Sequence, residues 1–457
     1  MKVDLLVAEI GSTTTVVNAF SGVNTSTPAF LGQGQGPTTV EDGDMNVGLK
    51  QALANLAKGL QEKGLLQEGE ELSQKRMLAT SSAAGGLKMT VHGLVQEMTA
   101  RAAREAALGA GAVLKMVTAG KMRERHLEEI TGIRPNIILL AGGVDYGEEE
   151  TIIHNAHLLS KLELDIPVIY AGNKAIKKEV EEILISAGKR VILTENVYPG
   201  IDEFNVEPTR KIIQQVFEEH IIHAPGMERI AELVDGSIMP TPGAVMEAAR
   251  LLYEDIGDLM VIDVGGATTD VHSVTEGTPK IQDLMVSPEP KAKRTVEGDL
   301  GVFVNAPNVV EMIGKEVLEE ELGFPVAAII KDRMPIPTTE EETRVVERMT
   351  REVVRVAVDR HAGEMRNIYG PTGRVTIARG KDLTGVKWII GTGGALTRLD
   401  GSREILGSLR RGGSKKLMPG PEARVELDRY YIMASLGVAS LEHKEFALAM
   451  LKQSLGL

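Results

Sequence analysis

The chain predicts an α/β protein of two similar halves around a cleft, with a further α/β unit carried between them. Three short stretches carry that prediction. Met260 to Val274, MVIDVGGATTDVHSV, runs from a strand through an acid and two glycines into a hydroxyl-rich second strand. Leu5 to Val17, LLVAEIGSTTTVV, repeats that form near the start of the chain, and Lys387 to Leu396, KWIIGTGGAL, ends a third strand on three glycines.

The apolar run Leu259 to Ile262 reads as a buried strand, and Gly265 with Gly266 leaves room for a tight turn with exposed backbone N–H groups. Such a turn can cradle phosphate. Asp263 at the strand end can hold a magnesium ion through water, while Gly265, Gly266, Ala267 and Thr268 receive phosphate oxygens. Asp270 can orient Thr268 or a water, and a structural role in the second strand fits it equally. In isolation an ordinary Asp-Val-Gly-Gly hairpin has the same appearance.

The second copy changes that balance. Glu9 takes the place of the acid, Gly11 of the glycine, and Ser12, Thr13, Thr14 and Thr15 supply the hydroxyls. Two such hairpins in one chain suggest half-domains facing one another. Gly391, Gly393, Gly394 and Ala395 follow the strand Trp388 to Ile390, where a flat base or ribose approaching the backbone closely needs residues without bulk.

In that order the three stretches resemble the phosphate-one, phosphate-two and adenosine motifs of the actin-like ATPase superfamily, which includes actin, sugar kinases and the heat-shock chaperones. More narrowly, AEIGSTTTVVNAF, IDVGGATTDVHSV and WIIGTGGALTRL, with the connecting blocks LATSSAAGGLKM and NIILLAGGVDYGEEE, resemble the glutamate mutase accessory family along almost the whole chain. The resemblance implies two actin-like, ribonuclease H-like half-domains around a nucleotide cleft, with ATP and Mg2+ as cofactors. It implies slow ATP hydrolysis whose hinge motion reactivates an adenosylcobalamin-dependent mutase, with a homodimer as the assembly to test. Metal roles fall on Asp263 and Glu9, and catalytic roles on Asp263 and Asp270. The wider superfamily usually has Asp where Glu9 stands, so a metal there meets a side chain one methylene longer. Thr80, Ser81 and Ser82 are candidates for positioning a water, and small residues packed at a strand end are the alternative. A filament-forming scaffold, a small-molecule kinase and a hydantoinase-like enzyme share the fold; no sugar-binding signature favours a kinase.

Size and composition set the outer limits. At 457 residues the chain exceeds one ordinary core, and its 43% apolar and 25% charged residues are those of a globular protein. A net charge of −13 without a basic stripe argues against nucleic acid. Lys174 to Lys178 and Arg410 to Lys416 read as solvated charge runs. With no cysteine there is neither a disulfide framework nor a thiolate site, and His154 with His157 lacks a third ligand for zinc. The absence of a basic leader or a run near ~18 apolar residues predicts a cytoplasmic protein without membrane contact.

Along the chain, residues 1–94 read as the first half, 95–240 as the inserted α/β unit and 241–457 as the second half. Val47 to Gln61 and Glu341 to His361 have helical period, as does Val309 to Leu322. Leu94 to Val117, rich in alanine, reads as a packed helix. Asn136 to Gly147, Ile166 to Asn173 and Arg190 to Leu193 keep a βαβ rhythm. Gly142, Gly143 and Asp145 read either as a strand-to-helix turn that belongs to the fold or as part of a second nucleotide or partner site. Arg294 to Gly301 reads as a polar loop, with Glu297 and Asp299 facing either the cleft or solvent.

Overall fold

The computed structural model describes every residue except 1, 12, 39–45, 83–86, 111, 222–231, 236–237, 333–335, 371–372 and 412–414. The chain divides into two units, Met1–Ala83 with Pro225–Val286 and Lys291–Leu457, and Ala84–Ala224 with Ser287–Pro290. Strands are numbered along the chain.

The first unit holds two five-stranded sheets of one design. One contains β1 (Lys2–Ile10), β2 (Thr14–Ser21), β3 (Ala29–Pro37), β4 (Ser73–Ser81) and β10 (Ile238–Pro240), in the order β10-β4-β1-β2-β3. The other contains β11 (Leu259–Val264), β12 (Thr269–Val274), β13 (Ala292–Glu297), β16 (Trp388–Thr392) and β17 (Arg424–Leu427), in the order β13-β12-β11-β16-β17. In each, two antiparallel hairpin partners lie on one side of the first strand and two parallel strands on the other. This is the ribonuclease H-like order, and two copies of it make an actin-like fold.

The sheets share a core because the helices between them are apolar on more than one face. Helix Thr241–Ile256 and helix Met433–Ala439 bury Val245, Leu252, Met433 and Leu436 against Leu5, Val7 and Leu78 of the first sheet and Val261, Val274 and Ile390 of the second. Gly437 is what lets the two helices touch: a Cβ there would stand 1.8 Å from the Ala244 carbonyl oxygen. Helix Glu340–His361 covers the outer face of the second sheet through Val345, Met349, Val353 and Ala357. Its start is fixed by a capping box, in which Glu342 N donates to Thr339 Oγ1 at 3.1 Å and Thr339 N to Glu342 Oε2 at 3.1 Å.

The second unit is a parallel sheet of β5 (Lys88–Gly93), β6 (Val113–Ala119), β7 (Ile137–Leu140), β8 (Val168–Tyr170) and β9 (Val191–Leu193), ordered β6-β5-β7-β8-β9. Helices Glu150–Ser160 and Lys177–Ser186 close one face over Leu140, Ile152, Leu159, Val168 and Val180.

Several sequence expectations change in detail. The alanine-rich stretch is helical only over Thr99–Gly109, and Val113–Ala119 is a strand that pairs with β5. Pairing with β5 overrides the small-residue pattern there. Val309 to Leu322 is two helices, Ala306–Ile313 and Lys315–Leu322, broken at Gly314 with φ 90°. The first half of the expected polar loop at Arg294 belongs to β13, which ends at Glu297. Glu297 and Asp299 both accept from Arg360, at 2.6 and 2.9 Å, and neither joins the pocket described next.

Candidate functional site

The two hairpin turns match residue for residue. In the first sheet Ile10 pairs with Thr15, and in the second Val264 pairs with Thr269, so each turn has four residues. Gly11 N donates to Thr14 O at 3.0 Å, and Gly265 N donates to Thr268 O at 2.9 Å. Glu9 and Asp263 therefore occupy equivalent registers, opposite Val16 and Asp270.

Both turns line one pocket. Its walls include Glu9, Gly11, Thr13 and Thr14 from the first, and Asp263, Gly265, Gly266, Ala267, Thr268 and Asp270 from the second. A Cβ on Gly266 would lie 3.3 Å from Thr13 Oγ1, so the turns almost touch. Gly394 and Ala395 line the same pocket; Gly391 and Gly393 do not. Those two are backbone fits instead. A Cβ on Gly391 would meet Leu406 and Leu427 side-chain carbons at 2.7 and 2.9 Å, and one on Gly393, with φ 88°, would meet Asp263 Oδ1 at 2.4 Å. Ser12 lies outside the described residues. Ser82 lines the pocket, whereas Thr80 and Ser81 are buried within β4.

Local folding turns the second hairpin's amides toward use. The carbonyls of Gly265 and Gly266 accept from the amides of Val302, Phe303 and Val304, and the Ala267 carbonyl from Asn305 Nδ2 at 2.6 Å. The amides of Gly266, Ala267 and Thr268 have no partner among the described residues. Successive unpaired N–H groups beside a concavity make a nest for anionic oxygens. In the first hairpin the Thr13 carbonyl likewise accepts from Thr38 N at 3.0 Å.

Charge in the pocket is mostly negative. Burial, and then the charge of Asp263, pushes Glu9 up to about 8. Burial and the neighbouring Asp270 push Asp263 up to about 7. Asp270 is balanced by a buried ion pair: Arg294 Nε and Nη2 donate to its Oδ1 at 2.9 and 2.6 Å, and Thr268 Oγ1 donates to Oδ2 at 3.2 Å. Glu9 accepts from the Tyr431 hydroxyl at Oε1, 3.0 Å away, and its buried Oε2 has no partner among the described residues.

Those carboxylates fit a divalent cation that arrives with phosphate. Among the described residues no group of three or more His, Asp or Glu is placed to hold a metal unaided. Magnesium needs fewer protein ligands, since it keeps waters and takes phosphate oxygens alongside one or two carboxylates. Burial and like charge disfavour ionisation of both acids, and a divalent cation beside them would offset that cost.

Tyr431, Arg398, Thr241 and Pro242 also line the pocket, and the sequence did not single them out. Arg398 donates to Gln35 Oε1 at 2.6 Å, so both it and Tyr431 reach from the second sheet's segment to the first sheet. Asp428 lies deeper. It accepts from Thr392 Oγ1, Ser454 Oγ and the amides of Ile432 and Met433 at 2.6 to 3.0 Å, tying the β16 end to the last helices. No motif spacing marks Thr241, Pro242, Asp428 or Tyr431, whereas Arg398 lies four residues after Gly394 in the block WIIGTGGALTRL.

Fold and pocket together define a protein of the actin-like class, with twin hairpins facing across one cleft. The model of the MutL protein family matches residues 5–455. Protein MutL of Clostridium tetanomorphum is 39% identical over 467 residues, covering 98% of this chain and 98% of that protein. The chain belongs to the MutL protein family. Solved structures similar to it include acetone carboxylase in a nucleotide-free structure, at 14% identity and TM-score 0.39 over 96% of this chain and 70% of that one. Glycerol dehydratase reactivase, at 10% and 0.35, covers 95% and 100% of the two chains; diol dehydratase-reactivating factor in nucleotide-free form, at 10% and 0.36, covers 96% and 100%. No helix among the described residues is long and apolar enough to cross a membrane.

Proposed function

We propose that this chain is an ATP-dependent accessory protein that reactivates an adenosylcobalamin-dependent mutase, glutamate mutase or a related aminomutase. The observation that carries the nucleotide part is the pair of register-matched turns lining one pocket, with free amides on Gly266, Ala267 and Thr268. The mutase part rests on family membership and on the resemblance to the glutamate mutase accessory family.

In this reading the turns Gly11 to Thr14 and Gly265 to Thr268 hold the β- and γ-phosphates, and Gly394 and Ala395 lie against the adenosine. Glu9 and Asp263 hold magnesium, directly or through water, and the ion supplies charge neutralisation at the phosphates. Asp270, fixed by Arg294, sets the Thr268 hydroxyl. Helices Thr241–Ile256 and Met433–Ala439, packed between the sheets, form the hinge about which the halves change angle with nucleotide state. That motion opens the mutase and frees damaged cobalamin.

The test is a release assay. A mutase carrying an inactive cobalamin is mixed with the protein, and the free corrinoid is separated and measured by absorbance. Release with ATP and Mg2+, and none with Asp263→Ala, is the expected result. Release independent of nucleotide contradicts the reading. Light scattering distinguishes the filament-forming alternative, since a reactivator stays a small assembly when ATP is added.

A further inference from the structure

The two acids at equivalent registers are immobilised by different means, and the difference singles out a residue that no motif marks. Asp263 has a short stem, and its Oδ1 is pressed against Gly393, where no Cβ fits. Glu9 has one more rotatable bond than Asp263. The Tyr431 hydroxyl holds it, 3.0 Å from Oε1, and the buried Oε2 has no partner among the described residues.

Tyr431 is itself held firmly. Its φ is 52°, in the left-handed region that a bulky residue adopts only at a cost of about 1–3 kcal/mol. Its N–H donates to the Asp428 carbonyl at 2.9 Å, and the Asp428 carboxylate receives four further donors. A strained side chain anchored by a saturated buried acid and aimed at a pocket carboxylate is a preorganised support.

We infer that Tyr431 is a positioning residue for Glu9: its hydroxyl occupies one carboxylate oxygen and so fixes the other, Oε2, as the oxygen offered to the divalent cation that accompanies the bound phosphates. The longer acid then performs at the first hairpin what Asp263 performs at the second. This deepens the nucleotide reading above and rests on it.

The experiment uses the full chain, Mn2+ as the probe and a non-hydrolysable β,γ-imido analogue of ATP, with free Mn2+ counted by electron paramagnetic resonance. Tyr431→Phe keeps the ring and deletes the hydroxyl. It is expected to weaken Mn2+ binding in the presence of the analogue by about two- to tenfold, the worth of one hydrogen bond. Affinity for the analogue measured without metal falls less than Mn2+ affinity does, and circular dichroism shows the variant folded. In a Glu9→Gln background the same substitution has no further effect on Mn2+. A second variant, Glu9→Asp, withdraws the carboxyl from the hydroxyl's reach and makes Tyr431→Phe silent as well. Unchanged Mn2+ affinity in Tyr431→Phe, or an equal loss in the Glu9→Gln background, overturns the inference. If the wild type binds the analogue and loses it in Asp263→Ala while Tyr431→Phe is silent, only this inference falls. If the wild type binds no analogue, the nucleotide reading and the inference fall together.

Discussion

Thr13 and Gly266 belong to hairpins some 250 residues apart in sequence, yet a Cβ on Gly266 would stand 3.3 Å from the Thr13 hydroxyl oxygen. The gap between the two turns therefore depends on a residue without a side chain. Replacing Gly266 by Val puts methyl groups into the space assigned to phosphate. Calorimetric titration with ATP and Mg2+ should show binding lost, with the melting temperature little changed because the site faces a pocket and not the core.

Gly301 constrains the same turn from behind. A Cβ there would lie 2.3 to 2.4 Å from backbone atoms of Ala267 and Gly266, which cannot yield without moving the hairpin. Gly301→Ala should lower ATP turnover by about a hundredfold, since displacement of a site by an ångström costs that order. A phosphate-release assay checks it.

Arg294 and Asp270 form a buried ion pair, with side-chain exposures of 2% and 6%. Removing one partner strands the other charge, so Arg294→Met should destabilise the protein by about 3–5 kcal/mol in denaturant titrations. The double substitution Arg294→Met with Asp270→Asn should recover much of that loss.

Glu9 supplies a pH test. Its folded value is raised from 4.5 to about 8, so the folded state holds a proton that the unfolded chain releases. The resulting stabilisation is complete below pH 4.5 and is lost as pH rises to about 8. The melting temperature of the ligand-free wild type should fall across that window more than that of Glu9→Gln, and the difference should stop changing above it. Scanning calorimetry across the window measures this.

Much of the fold was legible because local pattern and tertiary structure agree. An apolar run, an acid and glycines at a four-residue turn describe both Leu5 to Val17 and Met260 to Val274, and register pairing makes them equivalent. The actin-like arrangement follows from that repetition. Less legible were the places where long-range contact decides. Val113–Ala119 follows an alanine-rich helix closely, and only pairing with β5 makes it a strand. Arg294 looks like a loop residue beside glycines, but the β12 edge draws it into β13 and its charge onto Asp270. Tyr431 and Asp428 carry no local signature that shows their side-chain partners Glu9, Thr392 and Ser454, each more than 20 residues away. Gly391 and Gly393 read in the sequence as room for a ligand, and the lack of a side chain also admits Leu406 and Leu427 beside one and Asp263 beside the other.

Helix packing offers a check that involves no ligand. Gly437→Ala would place a methyl 1.8 Å from the Ala244 carbonyl oxygen, where the two interior helices meet. Overpacking at a helix contact commonly costs about 1–3 kcal/mol, and a backbone clash this close belongs at or above the top of that range. Urea unfolding of the variant measures it.

The central claim, that two distant turns close on one triphosphate, is tested most directly by a crystal structure of the chain grown with Mg2+ and a non-hydrolysable ATP analogue. The prediction is β- and γ-phosphate oxygens within hydrogen-bond distance of both the Gly11 to Thr14 turn and the amides of Gly266, Ala267 and Thr268, with the cation beside Asp263. A nucleotide bound elsewhere, or phosphates touching one turn alone, would contradict it.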